Sequence, residues 1–268
     1  MNAPAARSAS DDRSFDRVVS DLTAIVAASS EAGSALGIFP AMYRTVTLTV
    51  GEGIEAGVFD APERVRRLVC VFAGLYLDAY DAHRNGAPAP LAWALAFDAA
   101  ERRRCSIGEH LLLGMNAHIN LDLGVAAAAV CTPVDHASLR ADFDRVNLVL
   151  FALLDELQAA MGEVSPWMAR LDRLGLGFDE AILRLGIGSA RSEAWDFSEA
   201  LVARPERERA TLIAERDLAA RRLGRVLADP WSPLHLANRV VAARECRDRR
   251  RIIDVLGSAR IDVAALLA

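Results

Sequence analysis

The residues whose types could do chemistry are concentrated in one apolar stretch, Gly108 to Gly124, which reads GEHLLLGMNAHINLDLG. Successive residues of an α-helix turn by about 100°, so His118 and Asp122, four residues apart, would stack on one helical face. On that face Gly114 lies one turn before His118, and His110 lies two turns before it. A histidine beside a carboxylate on a buried face predicts either acid–base chemistry or metal binding.

A second polar pair, Asn116 and Asn120, lies on nearly the opposite side of the same helix. Buried polar groups are unfavourable unless they find partners, so the two pairs predict either hydrogen bonds between helices or a polar-lined pocket. Taken together, they favour a functional pocket. In that pocket Asn116 and Asn120 would position a substrate or the neighbouring helices, and Gly114 would leave space beside His118 for a ligand or a crossing helix.

Two mechanisms fit the histidine and its carboxylate. In the first, Asp122 orients His118, which acts as a general acid or base without a cofactor, because imidazole has a pKa near neutrality. In the second, both side chains bind a divalent metal such as zinc, since the spacing HxxxD lets them project from one face. Further ligands for that metal would come from His110 and from the segment after Tyr76, which offers Asp78, Asp81 and His83.

Three tyrosines, Tyr43, Tyr76 and Tyr80, are candidates to line an apolar substrate pocket together with Trp93, although aromatic residues at helical spacing more often belong to the core. The leading hypothesis is an enzyme that acts on a mostly apolar small molecule, in specialised metabolism, by cyclisation, isomerisation, elimination or hydrolysis. The first alternative is a metal-dependent phosphoester hydrolase with His118 and Asp122 as ligands. The second is a non-catalytic protein that holds an apolar ligand in a helical cavity.

Composition excludes several other functions. The net charge of −5 argues against nucleic-acid binding, which usually requires a basic face. All 31 basic residues are arginine, and the absence of lysine excludes a P-loop lysine, a Schiff base and a Ser-x-x-Lys nucleophile. The four cysteines form no CxxC pair, which argues against a zinc finger or a disulfide framework. The sequence does not indicate an oligomeric state.

The periodicity predicts an all-α bundle of about nine to eleven helices, with a central buried helix near 108–131. We expect a flexible tail at 1–13 and one domain at 14–268. Asp60, Pro62 and Glu63 predict a capped helix start, and the glycine pairs at 175/177 and 186/188 predict breaks between short helices.

Two further expectations concern position in the fold and in the cell. His136 is predicted to be a surface or capping residue near a helix start, as is His235. The N-terminus shows no apolar core of a signal peptide, and the apolar run 111–131 carries polar residues that lipid would not accommodate. We therefore expect a cytoplasmic protein without a membrane span.

The segment LLLGMNAHINLDL resembles the signature of a bacterial family of unknown function whose members carry LLGMNAHIN-x-DL. The likeness extends to the stretches 39–47 and 72–76 and to the Arg191-x-x-x-Trp195 pair, over roughly residues 20–250. It implies a helical fold and a shared site but no activity. A more distant likeness, to zinc-dependent phospholipase C and P1-type nucleases, rests on His118-x-x-x-Asp122. The further histidine of those enzymes is replaced here by the apolar stretch Val125–Val130.

Overall fold

The computed structural model describes residues 13–102, 106–165, 180–228 and 245–261. These residues form ten α-helices and no strand, which confirms the predicted all-α bundle. The helices are α1 (Phe15–Ala32), α2 (Ile38–Glu55), α3 (Pro62–Arg84), α4 (Leu91–Glu101), α5 (Ile107–Ala117), α6 (Leu123–Ala129), α7 (Arg140–Val164), α8 (Glu180–Val202), α9 (Glu206–Ala228) and α10 (Arg249–Gly257).

Helices α5 and α6 are joined without a break by a short π-helical segment, His118–Asp122. Helix α5 begins at Ile107, because the Ser106 hydroxyl accepts a hydrogen bond from the Glu109 backbone at 3.1 Å. The run Ile107–Ala129 is long and apolar enough to cross a membrane by length and composition, yet 72% of its most apolar window is buried inside the fold. It is therefore the central buried helix that the sequence predicts.

The start of α3 differs from the sequence prediction. Pro62 does occupy the first turn, but the N-cap is Ala61, which has no side-chain capping group, and the Asp60 carboxylate pairs with Arg145. The carboxylate of Asp142, in α7, instead accepts hydrogen bonds from the backbone N–H groups of Asp60 and Ala61, both at 2.8 Å. A carboxylate distant in sequence thus stabilises the positive end of this helix, which local spacing alone does not reveal.

The glycine pair at 186/188 does not end a helix, so this prediction was wrong: α8 runs through both glycines from Glu180 to Val202. A glycine inside a helix costs only about 1 kcal/mol relative to alanine. The close packing of α8 on α6, through the buried Ala194 and Trp195, offsets that cost. The pair at 175/177, the tail to residue 12 and His235 lie outside the described residues.

Two apolar clusters flank the central helix. The larger one joins side chains of α2, α3, α4 and α5, including Phe39, Tyr76 and Trp93. The second joins α3, α6, α7 and α8 around Phe143 and Trp195. The π-helical segment lies between them, so the histidine and the carboxylate that it carries enter the interior of the bundle.

Candidate functional site

The segment His118–Asp122 is the one part of the central helix that departs from α-helical geometry. A π-helical turn costs stability relative to an α-helix, and such turns are frequent at functional sites. Both end residues are buried, with exposed fractions of 4% for His118 and 3% for Asp122. The local irregularity therefore coincides with the pair that the sequence singles out.

His118 and Asp122 are hydrogen-bonded to each other, between Nδ1 of the imidazole and Oδ2 of the carboxylate, at 3.1 Å. The indole Nε1–H of Trp93, in α4, donates to the same carboxylate oxygen at 2.8 Å. The carboxylate is thus held from two sides. Because Nδ1 faces Asp122, the other ring nitrogen of His118, Nε2, points away from the carboxylate.

Five aromatic rings surround the imidazole. Phe72 stacks on it face to face, with ring centroids 3.5 Å apart and planes inclined by 8°. Tyr43 meets it edge-on, with centroids 4.3 Å apart. The other three rings have centroids 5.8 to 6.5 Å away and belong to Phe39, Tyr76 and Trp93. We call these five rings the aromatic box.

Three polar atoms of this cluster are buried and form no hydrogen bond: Nε2 of His118, Oη of Tyr43 and Oη of Tyr76. The side chain of Thr47 lies close to the Tyr43 hydroxyl and acts to lower its pKa, but the hydrogen bond that the Thr47 hydroxyl donates goes to the Tyr43 carbonyl oxygen, at 2.9 Å. A buried polar group without a partner costs about 1–3 kcal/mol. Three such atoms, one on the imidazole and two on neighbouring tyrosines, are an arrangement that packing alone does not favour.

Burial shifts the acid–base properties of the pair. It lowers the pKa of His118 well below its ordinary value. It raises the pKa of Asp122 well above its ordinary value, although the hydrogen bond from Trp93 acts in the opposite direction. Burial likewise raises the pKa values of Tyr43 and Tyr76. The site therefore favours the uncharged form of each of these groups.

The asparagine pair faces another helix. Asn116 donates from Nδ2 to the carbonyl oxygen of Ala220, in α9, at 2.8 Å, and it accepts a hydrogen bond from Asn120 at 3.1 Å. Arg216, also in α9, donates to the backbone oxygen of Asn120 at 2.6 Å. Of the two roles predicted for the asparagines, these contacts correspond to the positioning of a neighbouring helix.

The remaining predicted pocket residues lie at different distances from the imidazole. Gly114 lies against the ring of Phe39, which occupies the space that a side chain would need, so a crossing helix fills this space. Tyr80 is half-buried and packs on Tyr76, one layer outside the aromatic box. His110 is buried with both ring nitrogens unpaired, and burial, with the charges of Arg249 and Arg102, lowers its pKa to about 3.

A metal site of the predicted composition does not form among the described residues, where no group of three or more His, Cys, Asp or Glu side chains could hold an ion. Asp78 pairs with Arg13 at 2.7 Å, and its side chain is about one third exposed. His118 and Asp122 are bonded to each other, and the shared Oδ2 also accepts from Trp93. The two side chains therefore do not converge as separate ligands on one point.

An open cleft of about 480 Å³ lies elsewhere, between α1, α2 and α10. Its lining residues are Thr23, Val26, Ala27, Ser30, Glu31, Arg44, Arg250 and Asp254. None of them is a predicted site residue. The histidine–aspartate pair instead lies under the aromatic box. Phe72 is half-buried, and the other four rings of the box are buried.

Phe39 and Phe72 were not predicted as site residues from the sequence, and neither was the hydrogen bond from Trp93 to Asp122. A signal for both phenylalanines was present. Phe39 with Tyr43, and Phe72 with Tyr76, are aromatic pairs four residues apart, and such pairs share a helical face. The bond from Trp93 to Asp122 joins residues 29 positions apart and has no local signature.

The prediction that His136 is a surface residue was wrong, because its side chain is buried, with an exposed fraction of 5%. Its Nε2 is hydrogen-bonded to the hydroxyl of Ser198 at 2.8 Å, and that hydroxyl donates to the carbonyl oxygen of Trp195 at 2.7 Å. The imidazole also packs on Trp195, with ring centroids 4.3 Å apart. The contact with α8, distant in sequence, is what buries it.

Comparison with protein-family models shows that the chain belongs to a family of unknown function, DUF5995, whose model matches residues 15–230. This confirms the prediction of an uncharacterised family with a helical fold. A search of curated proteins and a search of solved structures found no match. Function must therefore be argued from the site itself.

Proposed function

We propose that this family member is an enzyme that acts on a mostly apolar small molecule, with His118 as the acid–base residue and Asp122 as the group that orients it. One observation carries the proposal. The imidazole is held through Nδ1 by the carboxylate, while Nε2 is buried and has no partner. A base or acid oriented by a second group, with its other nitrogen free for a substrate, is the arrangement that proton-transfer enzymes use.

The protonation state follows from burial. Because burial opposes charge on both groups, the pair is most stable with no net charge. When the hydrogen shared by the pair lies between Oδ2 and Nδ1, the uncharged pair also carries a hydrogen on Nε2. In that form His118 can donate a proton to a bound molecule, and it becomes a base once the proton has left. Asp122 stabilises the imidazole throughout by holding Nδ1.

The surroundings indicate the substrate class. The walls of the site are the carbon faces and edges of the aromatic box, which favour an apolar molecule over a charged one. The hydroxyls of Tyr43 and Tyr76 add two groups that can hydrogen-bond a polar substituent. Aromatic walls offer water few partners, so isomerisation, cyclisation and elimination, which move a proton within the substrate, suit the site better than hydrolysis. A role in specialised metabolism remains a prediction.

A second candidate is a binding protein that holds an apolar ligand without changing it. The observation in its favour is the completeness of the aromatic box, since five rings around one imidazole give a large apolar contact area. The phosphoester hydrolase has less support, because His118 and Asp122 are bonded to each other and do not converge on a common ion.

The test is to incubate a bacterial metabolite extract with the wild-type protein and with His118→Gln, and to compare the two mixtures by mass spectrometry. Glutamine keeps a polar side chain of similar length but cannot act as an acid or base near neutral pH. We expect a compound that the wild type converts and that the variant leaves unchanged. The matched control is His136→Gln, which alters a buried histidine outside the site and should leave conversion intact.

Three other outcomes would contradict the acid–base proposal. If a compound is retained by the protein and recovered unchanged, the protein is a binding protein. If conversion requires a divalent ion that the wild type carries and His118→Gln lacks, the metal-dependent mechanism is correct. If neither binding nor conversion differs and only the melting temperature changes, the pair is structural.

A further inference from the structure

Within the aromatic box, Phe72 differs from the other four rings in two ways. It is half-buried, whereas Phe39, Tyr43, Tyr76 and Trp93 are at most 8% exposed. It is also the ring that lies flat on the imidazole, at 3.5 Å and 8°. Phe72 is therefore the most exposed ring of the aromatic box, and it occupies the face of His118 on which a flat molecule would stack.

We propose that Phe72 occupies the place of the substrate ring, so that the substrate is a planar, mostly apolar molecule with one polar group at its edge, admitted when the Phe72 side chain swings outward. This inference rests on the proposed function for the identity of the site. Phe72 is then the residue that sets specificity for planarity, and the unpaired Nε2 of His118 is the group that meets the polar edge.

The geometry of the box supports a planar occupant. The stacking distance between Phe72 and His118 is that of two flat rings in contact, so a planar ring in the position of Phe72 can keep this contact. A bulkier, non-planar group in that position would press on Tyr43, whose ring lies 6.0 Å from that of Phe72. Planarity is therefore imposed by the rings that remain when Phe72 moves away.

The three unpaired polar atoms support the polar edge group. The rings of His118, Tyr43 and Tyr76 have centroids within 6.5 Å of one another, and each ring carries a buried polar atom without a hydrogen-bond partner. A ligand hydroxyl or carbonyl oxygen placed there would give at least one of them a partner. The apolar body of the ligand would replace the contacts of Phe72.

The movement required is confined to one side chain. Phe72 lies in the interior of α3, and it packs at the edge of both apolar clusters without being enclosed by either. A half-buried side chain changes rotamer more readily than a fully enclosed one, because fewer contacts must break. Uncovering the face of His118 in this way would require a rotamer change of Phe72 and no shift of a helix.

The experiment measures binding of two probes of similar size that differ in planarity, phenol and cyclohexanol, by isothermal titration calorimetry. The variants are Phe72→Ala and the milder Phe72→Leu, which serves if the alanine variant fails to fold. We expect phenol to bind the Phe72 variant about tenfold or more tightly than it binds the wild type, because the competing ring is gone. We expect cyclohexanol to bind about tenfold more weakly than phenol.

Two control variants separate this site from any cavity. Phe143→Ala removes a buried phenylalanine from the second cluster and leaves a cavity there. Phenol should bind in that cavity equally well with and without the His118 imidazole. Adding His118→Leu to the Phe72 variant should weaken phenol binding but leave toluene, which has no polar group, unaffected. If phenol and cyclohexanol bind equally, or if His118→Leu has no effect on phenol, the inference is wrong.

The assay distinguishes failure of this inference from failure of the proposed function, since it requires no turnover. Planar, His118-dependent binding together with an absence of metabolite conversion would support the Phe72 site and contradict the enzyme proposal. Conversion of a metabolite that is not planar would contradict the Phe72 inference and leave the role of His118 standing.

Discussion

Two buried histidines in this molecule show opposite arrangements. His118 has one nitrogen on a carboxylate and the other without a partner, in the interior of an aromatic box. His136 has its Nε2 on the Ser198 hydroxyl, which is itself bonded to the backbone of α8. Both are at most 5% exposed, and both pack on aromatic rings.

Burial alone therefore does not mark a functional histidine. The bonded Nε2 of His136 connects the segment before α7 to α8, as a structural side chain does. The unpaired Nε2 of His118 lowers the stability of the protein without a ligand. That cost is removed only when a ligand forms a hydrogen bond with Nε2. Functional sites commonly combine such local costs with activity.

The largest expected effect is on turnover. His118→Gln should lower the rate of metabolite conversion by about a hundredfold to ten-thousandfold, since general acid–base catalysis contributes about that much. His136→Gln should change the rate less than about threefold, and its effect should appear as a lower melting temperature, because it disturbs the bond to Ser198. Equal loss of turnover in both variants would remove the distinction between the two histidines.

The next effect concerns pH and a third buried histidine, His110. Its pKa is lowered to about 3, mainly by burial, whereas in the unfolded chain it is near 6.5. Above pH ~6.5 neither state is protonated and its contribution is constant. As the pH falls towards 3, only the unfolded state takes up the proton, so stability falls by up to about 1.4 kcal/mol per pH unit.

The measurement for His110 is denaturant unfolding at several pH values between about 7 and 4, for the wild type and for His110→Leu. The difference between the two proteins isolates this residue from the carboxylates, which also titrate in acid. We expect the leucine variant to lose less stability than the wild type on acidification. Parallel curves would show that His110 is protonated in the folded protein.

A smaller effect is expected at the two glycines that allow close packing. Alanine at Gly114 would collide with Phe39, in the aromatic box, and alanine at Gly124 would meet Phe197 at 2.6 Å and the Ala194 carbonyl oxygen at 2.8 Å. Each substitution should lower the free energy of unfolding by about 1–3 kcal/mol. Gly114→Ala should also reduce turnover, because Phe39 packs on His118.

Gly186→Ala is the matched control for these substitutions. Its added methyl group would meet nothing within 4 Å, and the residue lies inside α8. Here alanine should stabilise the protein by about 0.5–1 kcal/mol through the lower entropy of the unfolded chain. Denaturant unfolding of the three variants tests this, and stabilisation by Gly114→Ala would contradict the close approach of Phe39.

The smallest effect expected is a gain in stability. Tyr76→Phe removes a buried hydroxyl that has no partner, so the free energy of unfolding should rise by about 1 kcal/mol. Trp93→Phe is the opposite case, because it removes a donor that Asp122 uses, and it should destabilise the protein. Calorimetric melting measures the stability of both variants. A loss of stability in Tyr76→Phe would mean that the Tyr76 hydroxyl of the wild type is hydrogen-bonded.

The sequence predicted the helical class, the buried central helix and the contact between His118 and Asp122, since all three depend on local periodicity. His118 and Asp122, four residues apart, are hydrogen-bonded as expected, even though the segment between them is π-helical and not α-helical. The sequence offered Tyr43 and Tyr76 only as candidates to line an apolar pocket, and the structure brings both rings to within 6.5 Å of the His118 ring.

What the sequence did not predict depends on contacts between distant segments. The burial of His136 by α8, the bond from Trp93 to Asp122 and the capping of α3 by Asp142 all join residues far apart along the chain. Local spacing carries no record of such pairs. The uninterrupted helix through Gly186 also depends on a distant segment, since the packing of α8 on α6 offsets the low helix propensity of glycine.

The most direct test of the central claim is nitrogen NMR of protein labelled in its histidine side chains, with His118→Gln and His136→Gln to assign the signals. We expect His118 to stay neutral near pH 7, because burial lowers its pKa, and we expect its Nε2 signal to move when phenol is added to Phe72→Ala while that of His136 does not. A His118 signal that titrates near its ordinary pKa, or that ignores phenol while His136 responds, would contradict the account.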